Sequence, residues 1–199
     1  MNPKELLAKF KIKCDILTPI NNIHINSKKI EKNDIFIALK GKNYSALDFI
    51  DEAFNKGALC VLSNEYVNKE NVFYVKDLEK IKGEIAFGFY QNHTDKIKMI
   101  GITGTNGKTS IAQILYQMLT YFNYKVMSIG TLGVKCLDYE EELDNTTPDV
   151  VVLARLYHKA YQLGCDFIVM EVSSHGISLN RIQGVSFDFA IFTNITSEH

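Results

Sequence analysis

Gly104-Thr105-Asn106-Gly107-Lys108-Thr109 is the stretch whose residue types and spacing point most directly to chemistry. Glycines let a backbone approach an anion, and the N–H groups at the start of a helix face it with the helix dipole behind them. A lysine ending such a turn reaches terminal phosphates, and the next hydroxyl can ligate Mg²⁺. Lys108 and Thr109 fill those places, with Ser110 beside them. The usual G-x-x-x-x-G-K-[ST] pattern wants glycine six residues before the lysine, where this chain has Ile102; the form here is the shorter G-x-x-G-K-T. A glycine-rich connection with an exposed lysine is the competing reading. It explains neither the strand before the turn nor the helix after it.

Glu171 ends the apolar run Phe167-Ile168-Val169-Met170. Open parallel sheets bind ligands at the carboxyl ends of their strands, which brings this carboxylate beside the phosphate loop. A carboxylate there needs a cation or hydrogen bonds, so Mg²⁺ or a structural ion pair is the choice. Ser173-Ser174-His175 follows, but residues adjacent in sequence rarely present a nucleophile and its base to each other; polar contacts to a ligand suit them better. Asn145-Thr146-Thr147-Pro148-Asp149 on its own reads as a turn and helix start.

These residues need elements to hold them. Residues 98–102 form a strand running into the loop. A helix follows with the stripe Ile111, Ile114, Leu115, Met118, Leu119 and Phe122. Residues 126–129 are a second strand. A helix opening at Thr147-Pro148 turns Leu153, Leu156, Tyr157 and Ala160 inward and ends near Gly164. Strands at 166–172 and 187–193 complete an alternation of strand and helix, the pattern of a parallel sheet covered by helices. With its fourth strand so close to residue 199, the sheet reads as incomplete, the front part of a longer protein.

Upstream, residues 1–90 read as a separate small α/β unit. It has strands at 35–39, 58–62 and 72–75, and a helix carrying Leu47, Ile50 and Phe54 that stops at Gly57. A second helix, capped by Asp77, has Leu78, Ile81, Ile85 and Phe89 on its apolar face. The polar stretch Gln91–Lys96 is the expected linker, and residues 91–199 form the second domain.

Composition narrows the classes. The chain has 199 residues, 46% hydrophobic and 23% charged, an ordinary globular make-up. Its net charge is −1, from 22 basic and 23 acidic residues, which disfavours a non-specific nucleic-acid binder. No apolar run approaches the ~20 residues of a membrane span, and the start lacks a secretory core, so a cytoplasmic protein without membrane insertion is expected. Cys14, Cys60, Cys136 and Cys165 are far apart in sequence and form no CxxC pair, so the expectation is four reduced, mostly buried thiols.

GTNGKT after a strand resembles the nucleotide loop of the Mur ligases and the related folylpolyglutamate synthetases. NTTPD, MEVSSHG and TNITSEH, in that order, are similar to the subgroup that adds the third residue of the cell-wall peptide, and NSKKIEKNDIFIALKG resembles that subgroup's uridine-nucleotide domain. The resemblance spans nearly the whole chain. It implies a UDP-sugar-binding domain at 1–90 and a truncated ATP-binding P-loop-type parallel-sheet domain at 91–199. It implies a ligase that uses ATP and Mg²⁺ to join a diamino acid, meso-diaminopimelate or L-lysine, to UDP-N-acetylmuramoyl-L-Ala-D-Glu through an acyl phosphate. Lys108 would neutralise phosphate charge within the cofactor loop Gly104–Ser110. Thr109, Glu171 and His199 would hold the metal. Ile25, Ser27, Lys42, Asn43 and Tyr44 would hold the uridine diphosphate end, and Asn145, Thr146, Thr147, Ser173 and Arg181 the muramoyl-peptide side. A monomer is expected, and the 199 residues alone are expected to be inactive. Asn26 and Lys28 stand where the family has Asp and Arg, and Asn33 replaces a turn glycine. A folylpolyglutamate-type ligase and a non-catalytic nucleotide-binding module are the other readings; NTTPD and the first domain speak against the former.

Overall fold

The computed structural model describes residues 1–40, 47–91 and 95–196. The chain divides into two compact units, Met1–Tyr90 and Gln91–His199.

In the first unit, helix α1 (Pro3–Ala8) is opened by a reciprocal cap: the Glu5 N–H donates to Asn2 Oδ1 at 2.9 Å, and the Asn2 N–H donates to the Glu5 carboxylate at 3.3 Å. Strands β1 (Ile23–His24), β2 (Ile35–Ala38), β3 (Cys60–Ser63) and β4 (Val72–Tyr74) form a parallel sheet in that order, with helices α2 (Leu47–Asn55) after β2 and α3 (Leu78–Phe89) after β4. Every residue of β2 and β3 is buried, as central parallel strands require. Asn33 adopts φ +69° in the turn before β2, the left-handed conformation asparagine tolerates. Ile30, Phe36, Ala38, Ile50, Ala53 and Val61 form the core under α2.

Helix α3 differs from its periodicity. Leu78 and Ile85 are buried, but so are Lys82, Ala86 and Phe87, while Ile81 and Phe89 are half-buried. The helix packs on α1, with Leu6 Cδ1 against Gly88, and this widens its buried face. The Lys82 ammonium is paired with Glu79 at 2.9 Å. Asp77 precedes α3 without capping it; its carboxylate instead pairs with Lys80 at 3.1 Å.

The second unit contains β5 (Lys98–Thr103), α4 (Lys108–Tyr121), β6 (Val126–Gly130), β7 (Gly133–Cys136), β8 (Tyr139–Glu141), α5 (Val150–Gln162), β9 (Phe167–Glu171), α6 (Ser174–Ser178) and β10 (Phe189–Phe192). The strand order is β10-β5-β9-β6-β7-β8. The first four are parallel, and β7 and β8 extend the sheet as an antiparallel hairpin that the sequence pattern does not reveal. Alternation along β5 divides the helices between its two faces. Ile100 and Ile102 join Ala112 of α4, Val126 and Val169 in one core, while Met99 accepts a hydrogen bond from Tyr157 of α5 at 3.0 Å.

Helix α5 buries Leu153, Leu156, Tyr157 and Ala160 as its spacing predicts. It begins at Val150, with Asp149 Oδ1 accepting from the Val151 N–H at 3.0 Å, so Pro148 lies ahead of the cap rather than in the first turn. At its other end Gly164 has φ +71°, and the Cys165 N–H reaches back to the Ala160 carbonyl at 2.9 Å, a closing turn that favours glycine. The stripe of α4 is split. Ile111, Leu115 and Leu119 pack on the sheet, whereas Ile114, Met118 and Phe122 form a second row that stays exposed. Three-residue steps rotate about 60° off the packed row, beyond the reach of a flat sheet.

Candidate functional site

The phosphate loop connects β5 to α4. Gly104 has φ +138°, and a Cβ there would lie 2.8 Å from the Asn194 carbonyl oxygen and closer still to Thr193 Oγ1, so only glycine fits without displacement. Gly107 has φ +86° at the N-cap of α4 and offers no side chain to the helix's first amides. Those amides face a cavity of about 630 Å³, lined by Thr103–Ser110, Thr131, Thr146, Glu171, Ser173–His175, Ile177, Phe192, Asn194 and Ile195. Lys108 Nζ is folded over the loop, donating to the carbonyls of Gly104 at 2.6 Å and Thr105 at 3.0 Å.

The chain just after β10 fixes the loop. The Thr105 N–H donates to the Asn194 carbonyl and the Asn106 N–H to Asn194 Oδ1, both at 3.0 Å, while Thr193 Oγ1 donates to the Asn106 carbonyl at 2.7 Å. Asn194 therefore orients the apex of the loop. It lies within TNITSEH, a segment from which the sequence reading took only His199.

Glu171 is buried at the end of β9, where its partners converge. Thr109 Oγ1 donates to Oε2 at 2.7 Å, the Thr131 N–H to Oε1 at 2.9 Å, and Thr131 Oγ1 to Oε2 at 3.2 Å. Gly130 leaves the room: a Cβ there would come within 2.7 Å of Glu171 Cδ. Thr131 Oγ1 also lies 3.2 Å from Thr146 Oγ1. Thr131 was not among the expected site residues. Its signal was positional, the residue directly after a parallel strand on the ligand-binding edge.

The remaining expected residues separate into groups. Thr146 and Ser173 line the cavity with Lys108, Thr109 and Glu171. Thr147 is fully buried: its hydroxyl donates to the Glu171 carbonyl at 3.1 Å, accepts from the Ser173 N–H at 2.8 Å and lies 3.0 Å from Ser173 Oγ. Ser173 Oγ also accepts the Gly176 N–H at 3.0 Å, capping α6, and Arg181 donates to the Thr147 carbonyl at 3.2 Å. Thr147 and Arg181 thus hold the Asn145–Thr147 turn against β9 and α6. Asn145 does not border the cavity.

In the first unit, Ile25 is half-buried and Ser27 buried. Ser27 Oγ donates to Glu52 at 2.7 Å, and Lys56 Nζ bridges Glu52 at 2.8 Å and the Ser27 carbonyl at 3.1 Å. The hydrogen bonds from Lys56 and Ser27 hold the Glu52 carboxyl below its usual pKa range. Lys42, Asn43, Tyr44 and His199 lie outside the described residues.

Among the described residues no three His, Cys, Asp or Glu side chains cluster as a metal cage. One buried carboxylate flanked by two threonine hydroxyls suits Mg²⁺, a hard ion that takes one or two carboxylates and fills its other positions with phosphate oxygens and water.

A parallel sheet with a glycine loop at a strand's carboxyl end, a lysine over it and a carboxylate at the neighbouring strand's end define a phosphate-loop nucleotide-binding protein. The comparisons agree and go further. Residues 102–199 match the Mur ligase middle domain. The chain is 40% identical over 192 residues to a UDP-N-acetylmuramoyl-L-alanyl-D-glutamate–2,6-diaminopimelate ligase of Phocaeicola vulgatus, covering 93% of this chain and 39% of that protein. Its counterpart in Clostridioides difficile is 38% identical, over 94% of this chain and 39% of the relative. A solved ligase of the same name superposes with a TM-score of 0.80 at 26% identity, over 100% of this chain and 41% of the other. The MurF ligase of Thermotoga maritima in complex with ADP superposes with a TM-score of 0.66 at 25% identity, over 90% and 38%. Residues 102–199 belong to the Mur ligase middle-domain family, and the chain is similar to Mur ligases over nearly its whole length. It spans about two fifths of the length of the curated relatives it matches.

Proposed function

We propose that this chain is part of an ATP-dependent ligase that joins a diamino acid to UDP-N-acetylmuramoyl-L-Ala-D-Glu in peptidoglycan precursor synthesis. The observation that carries this is the placing of Glu171 between Thr109 of the phosphate loop and Thr131, which itself meets Thr146 of the acceptor-side turn. A phosphate donor and a carboxylate acceptor would then share one cavity. The diamino acid is 2,6-diaminopimelate on the strength of the relatives' names.

In this reading the D-glutamate carboxylate attacks the γ-phosphorus of ATP, giving an acyl phosphate and ADP. The amine of the diamino acid attacks the acyl carbon, loses a proton and expels phosphate. Such transfer rests on positioning and charge neutralisation. Lys108 leaves its loop carbonyls to pair with the β- and γ-phosphates, and the α4 amides and the loop N–H groups orient them. Mg²⁺, held by Thr109 and Glu171 with His199 as a further ligand, supplies additional positive charge when bound. Thr146 and Ser173 orient the acceptor, while Thr147 and Arg181 hold the turn. Asn145 completes the muramoyl-peptide side; Ile25, Ser27, Lys42, Asn43 and Tyr44 in the first unit bind the uridine diphosphate end. The protein works as a cytoplasmic monomer, and no described helix is long and apolar enough to cross a membrane.

Calorimetry with UDP-N-acetylmuramoyl-L-Ala-D-Glu, and UDP-N-acetylmuramoyl-L-Ala as control, tests this. Saturable binding that prefers the dipeptide form is expected. ATP binding without either UDP compound would refute the acceptor assignment and leave a nucleotide-binding module.

A further inference from the structure

Far apart in sequence, Cys136 and Cys165 meet in the second unit. Cys136 ends β7 and Cys165 lies in the turn between α5 and β9; their sulfurs are 3.1 Å apart and both side chains are buried. That is inside the ~3.5–4.0 Å at which even unbonded carbon atoms sit. The sequence, in which the four cysteines are far apart and form no CxxC pair, does not indicate this pairing. The hairpin, absent from the sequence pattern, folds one of them onto another.

We propose that Cys136 and Cys165 form a dithiol site for oxidation by a hydroperoxide, Cys136 reacting first and Cys165 resolving the product to an intramolecular disulfide. The Cys136 thiolate attacks the peroxide's terminal oxygen, breaking the O–O bond and leaving sulfenic acid at Cys136 and an alcohol, or water from hydrogen peroxide. Cys165 then attacks that sulfur, giving up its proton as the sulfenic oxygen leaves as water. Two thiols and one hydroperoxide become one disulfide, one alcohol and one water. A small oxidant is required because Cys136 is fully buried and Cys165 beside it is only 6% exposed.

The order of attack follows from the surroundings. With Cys165 as the donor of the shared hydrogen bond, that bond lowers the Cys136 pKa against the opposing effect of burial, helped by the charge of Lys125, and together with burial pushes Cys165 up. Asp166 adds to the rise at Cys165, and Tyr116 also faces the pair. Cys14 and Cys60 are both pushed up, chiefly by burial, and so hold their protons. The new bond would close a loop spanning 29 positions that carries Asn145–Thr147 and all of α5.

This inference does not depend on the ligase reading. The test is hydrogen peroxide on the native chain, a quench in denaturant with an alkylating reagent, and mass spectrometry of the intact chain and its non-reduced digest. The expected result is loss of two hydrogens, a cross-linked pair of peptides containing Cys136 and Cys165, and reaction at Cys136 about tenfold or more faster than at Cys14 or Cys60. Cys165→Ser should stop at a sulfenic acid on Cys136 that dimedone traps. The proposal is overturned if all four thiols stay alkylatable, if Cys14 or Cys60 oxidises as fast, or if wild-type Cys136 oxidises without the cross-link. The wild-type measurement needs no variant to fold.

Discussion

Gly130→Ala is a way to move the Glu171 carboxylate without touching either Glu171 or the phosphate loop. Gly130 is not among the glycines with positive φ, so alanine suits its backbone and the added methyl group is the whole perturbation. That methyl would sit 2.7 Å from Glu171 Cδ and 2.8 Å from Cγ, well inside van der Waals contact. The carboxyl group is the movable partner, because β6 is paired on both sides, with β7 and β9. Displacement weakens its hydrogen bonds from Thr109 at 2.7 Å and from the Thr131 N–H at 2.9 Å. Overpacking of this size costs about 1–3 kcal/mol of stability. If Glu171 holds Mg²⁺ as proposed, its displacement should weaken Mg²⁺-dependent nucleotide binding about 10–100-fold, the range seen when a ligand's supporting contacts are lost. The assay is calorimetric ATP binding with Mg²⁺ and with EDTA, alongside urea unfolding. The expected pattern is a lost Mg²⁺ enhancement, with metal-free binding within about threefold of wild type. An unchanged Mg²⁺ enhancement in a variant that urea shows to be destabilised would refute the assignment, since the carboxylate would then have moved without consequence.

Lys108→Ala should abolish ATP turnover by the full-length enzyme and leave binding of the UDP-sugar unchanged; equal loss of both would break the division of labour between the units. Asp34 is buried with one carboxylate oxygen unpartnered, and burial raises its pKa despite the Glu31 amide and His24. A raised folded pKa means that its contribution to stability is present at low pH and is lost as pH rises through that value. The urea midpoint of wild type minus that of Asp34→Asn should therefore fall from about pH 4 upward, and a flat difference would count against the shift. Arg155 on α5 is paired with Glu141 on β8, both about one quarter exposed. Arg155→Leu should cost about 1–3 kcal/mol in urea unfolding, most of it recovered in the double variant with Glu141→Leu; an equal loss in the double variant would mean that the pair does not couple these elements.

What the sequence made legible was local. The strand, glycine turn and amphipathic helix around Lys108 are contiguous, and their chemistry follows from residue type and order. Glu171 could be placed because a strand buried on both faces is nearly all apolar, so its one carboxylate stands out. Helix α5 was readable because it packs on one flat surface with a regular period. The hairpin β7–β8 was missed because its strands, GVKC and YEE, are short and mix apolar with charged residues. The α4 stripe misled because periodicity states which residues are apolar, not how much of the helix a sheet can cover. Thr131, Asn194 and the Cys136–Cys165 pair depend on strand order and register, which bring together residues such as Cys136 and Cys165, 29 positions apart, and Asn106 and Asn194, 88 apart.

Thr147 shows what the Asn145–Thr147 turn is built to do. Its hydroxyl bonds to the Glu171 carbonyl and the Ser173 amide and lies beside the Ser173 hydroxyl, leaving it no free capacity for a ligand. A residue so committed works by fixing its neighbours: Thr146 on one side and Ser173 on the other, both on the cavity wall. The carbonyl it holds belongs to Glu171, the proposed metal ligand. The Thr147 hydroxyl thus ties the cavity wall at Thr146 and Ser173 to Glu171, and Thr131 ties them again through Thr146 and the Glu171 carboxylate. In the proposed reaction these two separate links make the distance from acceptor to metal a property of β9 rather than of a loop. In-line transfer demands this, because a misplacement of ~1 Å can cost about a hundredfold in rate. Thr147→Val keeps the shape and removes all the hydroxyl's hydrogen bonds. In the full-length enzyme it should lower kcat while leaving the Kd for Mg²⁺-ATP unchanged. A loss of nucleotide affinity in proportion to kcat would mean that the turn supports the phosphate loop and not the acceptor.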